Sequence, residues 1–199
     1  MHYRHLSKSE YEQLYNDCEV LSFRGGKPRS FLTADNRVVK LIYKRRAGLL
    51  RWSAFFRARR FKKNVIKLAQ LNIASITSIE VCYYPADRCY VAIYPKLVGT
   101  AVERYLIDND GKMAEVLINW AEYLAHLHNK GVFFYKDLHF GNMLLDAKED
   151  FILIDIERLR IKNRPLNLKE RSHDMEMLFE QEGQRIENFG KQNFLNVYK

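Results

Sequence analysis

The chain has 199 residues, of which 47% are hydrophobic and 29% charged, and a formal net charge of +9. That composition excludes an intrinsically disordered chain and supplies apolar mass for one sizeable core or for two lobes sharing a cleft. No run approaches the roughly 18 apolar residues of a membrane span. The opening Met1-His2-Tyr3-Arg4-His5-Leu6-Ser7-Lys8 lacks the apolar stretch of a secretory leader, so a cytoplasmic protein is expected.

In chain order, residues 19–23 and 30–33 read as paired strands around Arg24-Gly25-Gly26-Lys27-Pro28-Arg29, and residues 37–43 as the next strand. Gly25-Gly26 suits an ordinary turn as readily as a loop that cradles phosphate, and the spaced Gly-x-Gly-x-x-Gly pattern is absent. Lys40 lies inside an apolar strand, where it either reaches an anionic ligand or guards a sheet edge. A helix is expected over residues 55–71, with only Arg, Lys, Asn and Gln as its long polar groups. Residues 81–84 and 89–92 form a hairpin about Pro85-Ala86-Asp87-Arg88. That register sets Cys82 opposite Val91 rather than Cys89, so no disulfide is expected, and Cys18, Cys82 and Cys89 lack metal-site spacing. Residues 91–94 would be the last strand of an amino-terminal lobe, with Pro95-Lys96-Leu97-Val98-Gly99 as its hinge.

Charge is unevenly placed. Residues 36–79 hold twelve lysines and arginines and no acid, so the whole positive excess resides there. Such a stripe gathers anions: phosphorylated lipid, nucleic acid or nucleotide. Within it, Gly48-Leu49-Leu50-Arg51-Trp52-Ser53-Ala54-Phe55-Phe56-Arg57 interleaves apolar and basic groups as an interfacial helix does, although Leu49, Trp52 and Phe56 would equally serve as packing residues.

In the second half, Val116, Leu117, Trp120, Ala121, Leu124 and Leu127 recur at helical spacing, and Asn129-Lys130-Gly131 ends that helix with a glycine able to take the left-handed cap. Then comes Tyr135-Lys136-Asp137-Leu138-His139-Phe140-Gly141-Asn142, two short strands at residues 142–145 and 151–154, and Asp155-Ile156-Glu157. Asn142 follows Asp137 by five positions and Asp155 follows it by eighteen. Taken singly, an aspartate is usually a cap or a solvated group. At this spacing one carboxylate can take a proton from an attacking hydroxyl, while an amide oxygen and a second carboxylate supply hard oxygen ligands to magnesium on a nucleotide. His139 suits loop shaping or a substrate contact, and Tyr135 suits packing.

This order of helix, loop, hairpin and aspartate resembles the protein-kinase-like superfamily, and Asp-Leu-His-x-Gly-Asn looks most similar to the bacterial lipopolysaccharide core kinases that phosphorylate Kdo or heptose. The resemblance covers residues 21–179 and is strongest over 124–160. It implies an α+β, two-lobed protein-kinase-like fold, with a small β-rich lobe over 1–98 and a short, mainly helical lobe over 99–199. By that resemblance Asp137 is the base, Asn142 and Asp155 hold magnesium with Glu157 as an auxiliary ligand, and Lys40, Gly25 and Gly26 meet the phosphates of ATP. The implied acceptor is a lipopolysaccharide core sugar or other anionic glycolipid, met at the inner face of the inner membrane, rather than nucleic acid. Two departures stand out. The helix after Lys40 lacks the glutamate that pairs with the kinase lysine, and only 44 residues follow Asp155, without an Ala-Pro-Glu anchor. A soluble small-molecule kinase and a non-catalytic nucleotide-binding, membrane-docking module therefore stand as alternatives.

Overall fold

A computed structural model describes residues 3–43 and 53–198. The protein is mixed α+β, with its strands concentrated in the amino-terminal part and its long helices in the carboxy-terminal part. It divides into two compact units, residues 1–66 with 76–97, and residues 67–75 with 98–199.

The first unit is built on β1 (Arg4–His5), β2 (Glu19–Arg24), β3 (Lys27–Leu32), β4 (Arg37–Ile42), β5 (Glu80–Tyr84) and β6 (Cys89–Pro95). Among the described residues these form one sheet in the order β1-β5-β6-β4-β3-β2, antiparallel except for the β1–β5 pair. Alternation along the strands gives the sheet two apolar faces. One carries Phe31, Val39, Leu41, Tyr84, Val91 and Ile93, and helix α1 (Lys8–Tyr15) covers it with Leu14 and with Tyr11, which stacks on Tyr84 at 4.1 Å. A reciprocal cap starts α1, the Ser7 hydroxyl accepting from the Glu10 amide and the Glu10 carboxylate accepting from the Ser7 amide. Helix α2 (Ser53–Gln70) meets the other face, with Phe61 against Tyr94 at 5.6 Å and Phe55 against Tyr90 at 6.0 Å. Full burial of Phe61 contributes on the order of 2–3 kcal/mol.

One sequence expectation changes here, and one of the two alternatives for Lys40 closes. The β2–β3 turn is two residues long, not six: Gly25 and Gly26 have φ of +60° and +72°, a tight hairpin turn whose twist matches the strands it joins. Pro28 thereby enters β3, which it can do because β3 pairs with β4 only from Ser30 onward. Lys40 is not on an edge, since β4 lies between β3 and β6 with Lys40 opposite Ser30 and Ala92. Cys82 does lie opposite Val91. The expected interfacial segment falls partly on residues 44–52, outside the described residues; Phe56, at its end, is exposed.

In the second unit, α4 (Met113–Asn129) buries the stripe Val116, Leu117, Trp120, Ala121, Leu124 and Leu127. The Trp120 ring meets Phe140 at 4.8 Å and Phe194 at 5.6 Å, and its indole N–H points at Met143 Sδ. Against α4 pack α5 (Leu168–Phe189) and α6 (Lys191–Tyr198), and α3 (Val102–Asp108) precedes it in the chain. The strands here are short: β7 (Thr100–Ala101), β9 (Met143–Leu145) and β10 (Phe151–Leu153) form one ladder, and β8 (Val132–Phe133) and β11 (Arg160–Ile161) another. Among the described residues no helix is long and apolar enough to cross a membrane.

Candidate active site

The segment that carries Asp137 leaves β8 through a strained turn. Tyr135 has φ of +69°, and the Lys136 amide donates to the Phe134 carbonyl at 2.8 Å, closing a three-residue turn that a bulky side chain disfavours. Holding a residue there costs about 1–3 kcal/mol and requires neighbours that over-determine it. Those neighbours come from α5. Asp174, fully buried, accepts from the Phe134 and Tyr135 amides, both at 2.8 Å, and His173 Nε2 donates to the Tyr135 carbonyl at 2.7 Å. Two turns further along α5, Glu182 accepts from the Phe140 amide at 3.0 Å. The loop bearing Asp137 is therefore slung from one helix at two points, spaced by eight residues or about 12 Å of helix axis.

A second buried layer backs Asp174. His128 Nε2 lies 3.3 Å from Asp174 Oδ2, and its other ring nitrogen meets the Tyr198 hydroxyl. Burial pushes the Tyr198 hydroxyl up from its ordinary pKa, which keeps its proton in place for that contact.

Within the loop, the Asp137 side chain is 16% exposed and its Oδ1 accepts from the Arg158 guanidinium at 2.7 Å. The Asn142 side-chain nitrogen donates to the Asp137 carbonyl at 2.7 Å, which ties the two residues across the loop. His139 shapes the loop: its ring covers Gly141 so closely that a Cβ there would sit 3.0 Å from Nδ1. Past Asn142 the chain enters the β9–β10 hairpin, whose register pairs Met143 with Leu153. One further bond, from the Ile154 amide to the Asn142 carbonyl at 2.9 Å, extends the ladder to the loop. Asp155 follows directly, exposed, in the left-handed region at φ +52°, and Ile156–Arg158 form a single 3-10 turn with Glu157 buried at 3% and 4.0 Å from Arg158 Nε.

Asp137, Asn142, Asp155 and Glu157 thus belong to one contiguous framework in the second unit, made of the loop, the hairpin end and the 3-10 turn. Lys40, Gly25 and Gly26 belong to the first unit. Lys40 is half-buried on the α2 face of its sheet with its ammonium 5.8 Å from the Phe61 ring centroid, and Gly25 and Gly26 sit exposed at the β2–β3 turn. The sequence reading missed Asp174, His173 and Glu182. A signal for the acids was there: Asp174, Leu178, Glu182 and Ile186 follow at intervals of four, so both acids fall on the apolar stripe of α5, and all four are buried.

Chemically, the framework holds a carboxylate paired with a guanidinium beside an amide and a second, exposed carboxylate. No family model matches the chain, and no curated protein matches it. Among solved structures it is similar to the bifunctional kinase-methyltransferase WbdD, known from a medium-resolution structure, at 21% identity and a TM-score of 0.42. That match covers 67% of this chain, which spans only 30% of the other.

Proposed function

We propose that the protein is an ATP-dependent phosphotransferase of protein-kinase-like fold whose acceptor is a sugar hydroxyl of the lipopolysaccharide core, Kdo or heptose. The observation that carries the reading is the tie between Asp137, Asn142 and the hairpin end. Because the Asn142 nitrogen is committed to the Asp137 carbonyl, its amide oxygen is the atom left to act as a ligand, and the Ile154–Asn142 bond brings the Asp155 segment to the same end of the loop.

The donor set fits magnesium. Among the described residues no cluster of three His, Cys, Asp or Glu side chains forms a self-sufficient cation site. Magnesium suits such a sparse set, because it binds through one or two carboxylates and completes its shell with phosphate oxygens and water. Asp155 and Asn142 are the proposed ligands, Glu157 an auxiliary one, and Lys40 with the Gly25-Gly26 turn the proposed phosphate contacts. Bound ATP and magnesium would supply the transferable phosphoryl group and neutralise its charge. Asp137 then accepts the proton of the acceptor hydroxyl, and Arg158 holds that carboxylate in one rotamer until the acceptor arrives.

The acceptor class rests on the resemblance of Asp137-Leu138-His139-Phe140-Gly141-Asn142 to the lipopolysaccharide core kinases and on the basic segment 36–79. One observation favours a non-catalytic nucleotide-binding module instead: α2 carries no acidic residue. The deciding experiment measures ADP release with and without purified rough lipopolysaccharide, for the parent and for Asp137→Asn. Release that depends on lipopolysaccharide and vanishes in the variant supports the transferase. Nucleotide binding without turnover supports the module, and turnover retained by the variant refutes Asp137 as base.

A further inference from the structure

Away from the Asp137 loop, the second unit contains a recess of about 310 Å³ between the carboxy-terminal end of α2, the turn that follows α4, and residues 161–165. We propose that this recess binds an anionic saccharide, a sugar ring carrying a phosphate or carboxylate.

Charge is the first argument. Lys67, Lys130, Lys162 and Arg164 line the recess, and among the described residues no acid does. Glu170, just outside, engages Lys162 and Arg164, the latter at 2.9 Å. Neither Lys67 nor Lys130 has a carboxylate partner among the described residues: Lys67 Nζ is spent on the Ile161 carbonyl at 3.0 Å and on Asn163 Oδ1 at 3.1 Å, and the exposed Lys130 ammonium engages none. Four cations against one carboxylate leave a surplus that an anion would neutralise.

The neutral polar groups agree in sign. Asn163 Oδ1 is taken by Lys67, and Asn129 Oδ1 by Arg171 at 2.7 Å, so what these two amides have left to offer is N–H. Donors of this kind match phosphate, carboxylate and sugar oxygens. Leu71 and Pro165 add apolar surface against which the C–H face of a sugar ring can lie. A recess of this size takes one or two rings.

The walls are also pre-formed. The Lys162 amide donates to the Gly131 carbonyl at 2.9 Å and the Leu166 amide to the His128 carbonyl at 2.9 Å, which fixes both ends of the loop. Gly131 makes this approach possible: at φ +80°, any Cβ would lie 2.4 Å from the Arg164 carbonyl oxygen and 2.6 Å from that of Lys162. A ligand would therefore meet a site that needs little ordering.

The test is calorimetric titration of the full chain with glucose 1-phosphate, glucose and inorganic phosphate. It compares the parent with Lys130→Glu and Gln70→Glu at the rim, and with Lys148→Glu, an exposed control in the β9–β10 turn. Saturable binding of glucose 1-phosphate is expected, weaker by on the order of tenfold or more in both rim variants and unchanged in the control, as a lost or opposed charge-assisted bond requires. Asp155→Asn should leave it unchanged, which separates this site from the proposed nucleotide site whatever becomes of that proposal. No saturable binding, or equal loss in the rim and control variants, overturns the inference. Inorganic phosphate bound as tightly as glucose 1-phosphate overturns its saccharide part.

Discussion

Asp174→Asn tests whether α5 holds the loop that carries Asp137. The substitution is nearly isosteric, yet the asparagine can present only one oxygen where the aspartate presents two. One of the two 2.8 Å bonds from the Phe134 and Tyr135 amides is therefore lost, and a buried N–H is left facing an N–H₂ group. A hydrogen bond to a charged acceptor contributes about 1.5–3 kcal/mol, and an orphaned buried donor costs about 1–3 kcal/mol, two overlapping descriptions of one loss. A net destabilisation of about 1.5–3 kcal/mol is expected, equivalent to roughly 3–12 °C in Tm for a chain of this length. Urea unfolding followed by the fluorescence of the fully buried Trp120, in a Trp52→Phe background, measures it in the unit concerned. Release of the Tyr135 amide should also let its strained turn relax to negative φ, which shifts Asp137 two residues on. If the protein is the phosphotransferase proposed above, turnover should then fall more than nucleotide affinity does. A change below about 0.5 kcal/mol, the level of ordinary surface substitutions, would refute the idea that Asp174 holds this loop.

Gly131→Ala should cost at least about 2 kcal/mol, since it adds backbone strain to a clash with two carbonyl oxygens; equal Tm values for variant and parent would count against the close approach. Glu170 is held down to a pKa of about 2 by the Arg164 guanidinium first, then by Lys162 and the Asn167 amide. Its contribution is fully present above the ordinary glutamate value of about 4.3 and is lost as pH falls from there towards 2, so a Tm-against-pH profile should fall less steeply on that side in Glu170→Gln than in the parent. Asp155→Asn should weaken magnesium-dependent nucleotide binding, and equal ATP·Mg affinity by calorimetry would remove it from the ligand set. Changing Arg51, Arg57, Arg59 and Arg60 to glutamine should lower co-sedimentation with anionic vesicles, each arginine near the surface contributing about 1 kcal/mol; unchanged binding would make that segment a solvated face.

What could be read in advance was local. The α4 stripe, the β5–β6 register and the hairpin before Asp155 are fixed by side-chain period and by turn chemistry over a few residues, so sequence pattern was enough. The turn about Gly25-Gly26 is two residues rather than the expected six because a strand tolerates Pro28 where the second ladder has not yet begun. The clamps on the loop that bears Asp137 were not legible, because Asp174 and Glu182 stand about forty residues from the amides they accept from. Acids on a helix read by default as its wet side. Only their phase with Leu178 and Ile186 distinguishes them, and phase becomes persuasive once the packing face is known.

The short segment Lys67–Ser75 belongs to the second unit although the chain returns to the first unit immediately after it. It is anchored there by the Leu153 amide on the Ala74 carbonyl at 3.0 Å and by the Ser75 hydroxyl on the Leu153 carbonyl at 2.9 Å. The boundary between the units is consequently crossed three times, at 66/67, 75/76 and 97/98. A fragment that begins at Val98 would leave behind the peptide that closes the outer edge of β10 and the wall that supplies Lys67. A cut at 97/98 therefore does not part the units cleanly, because it separates a strand end from its partner.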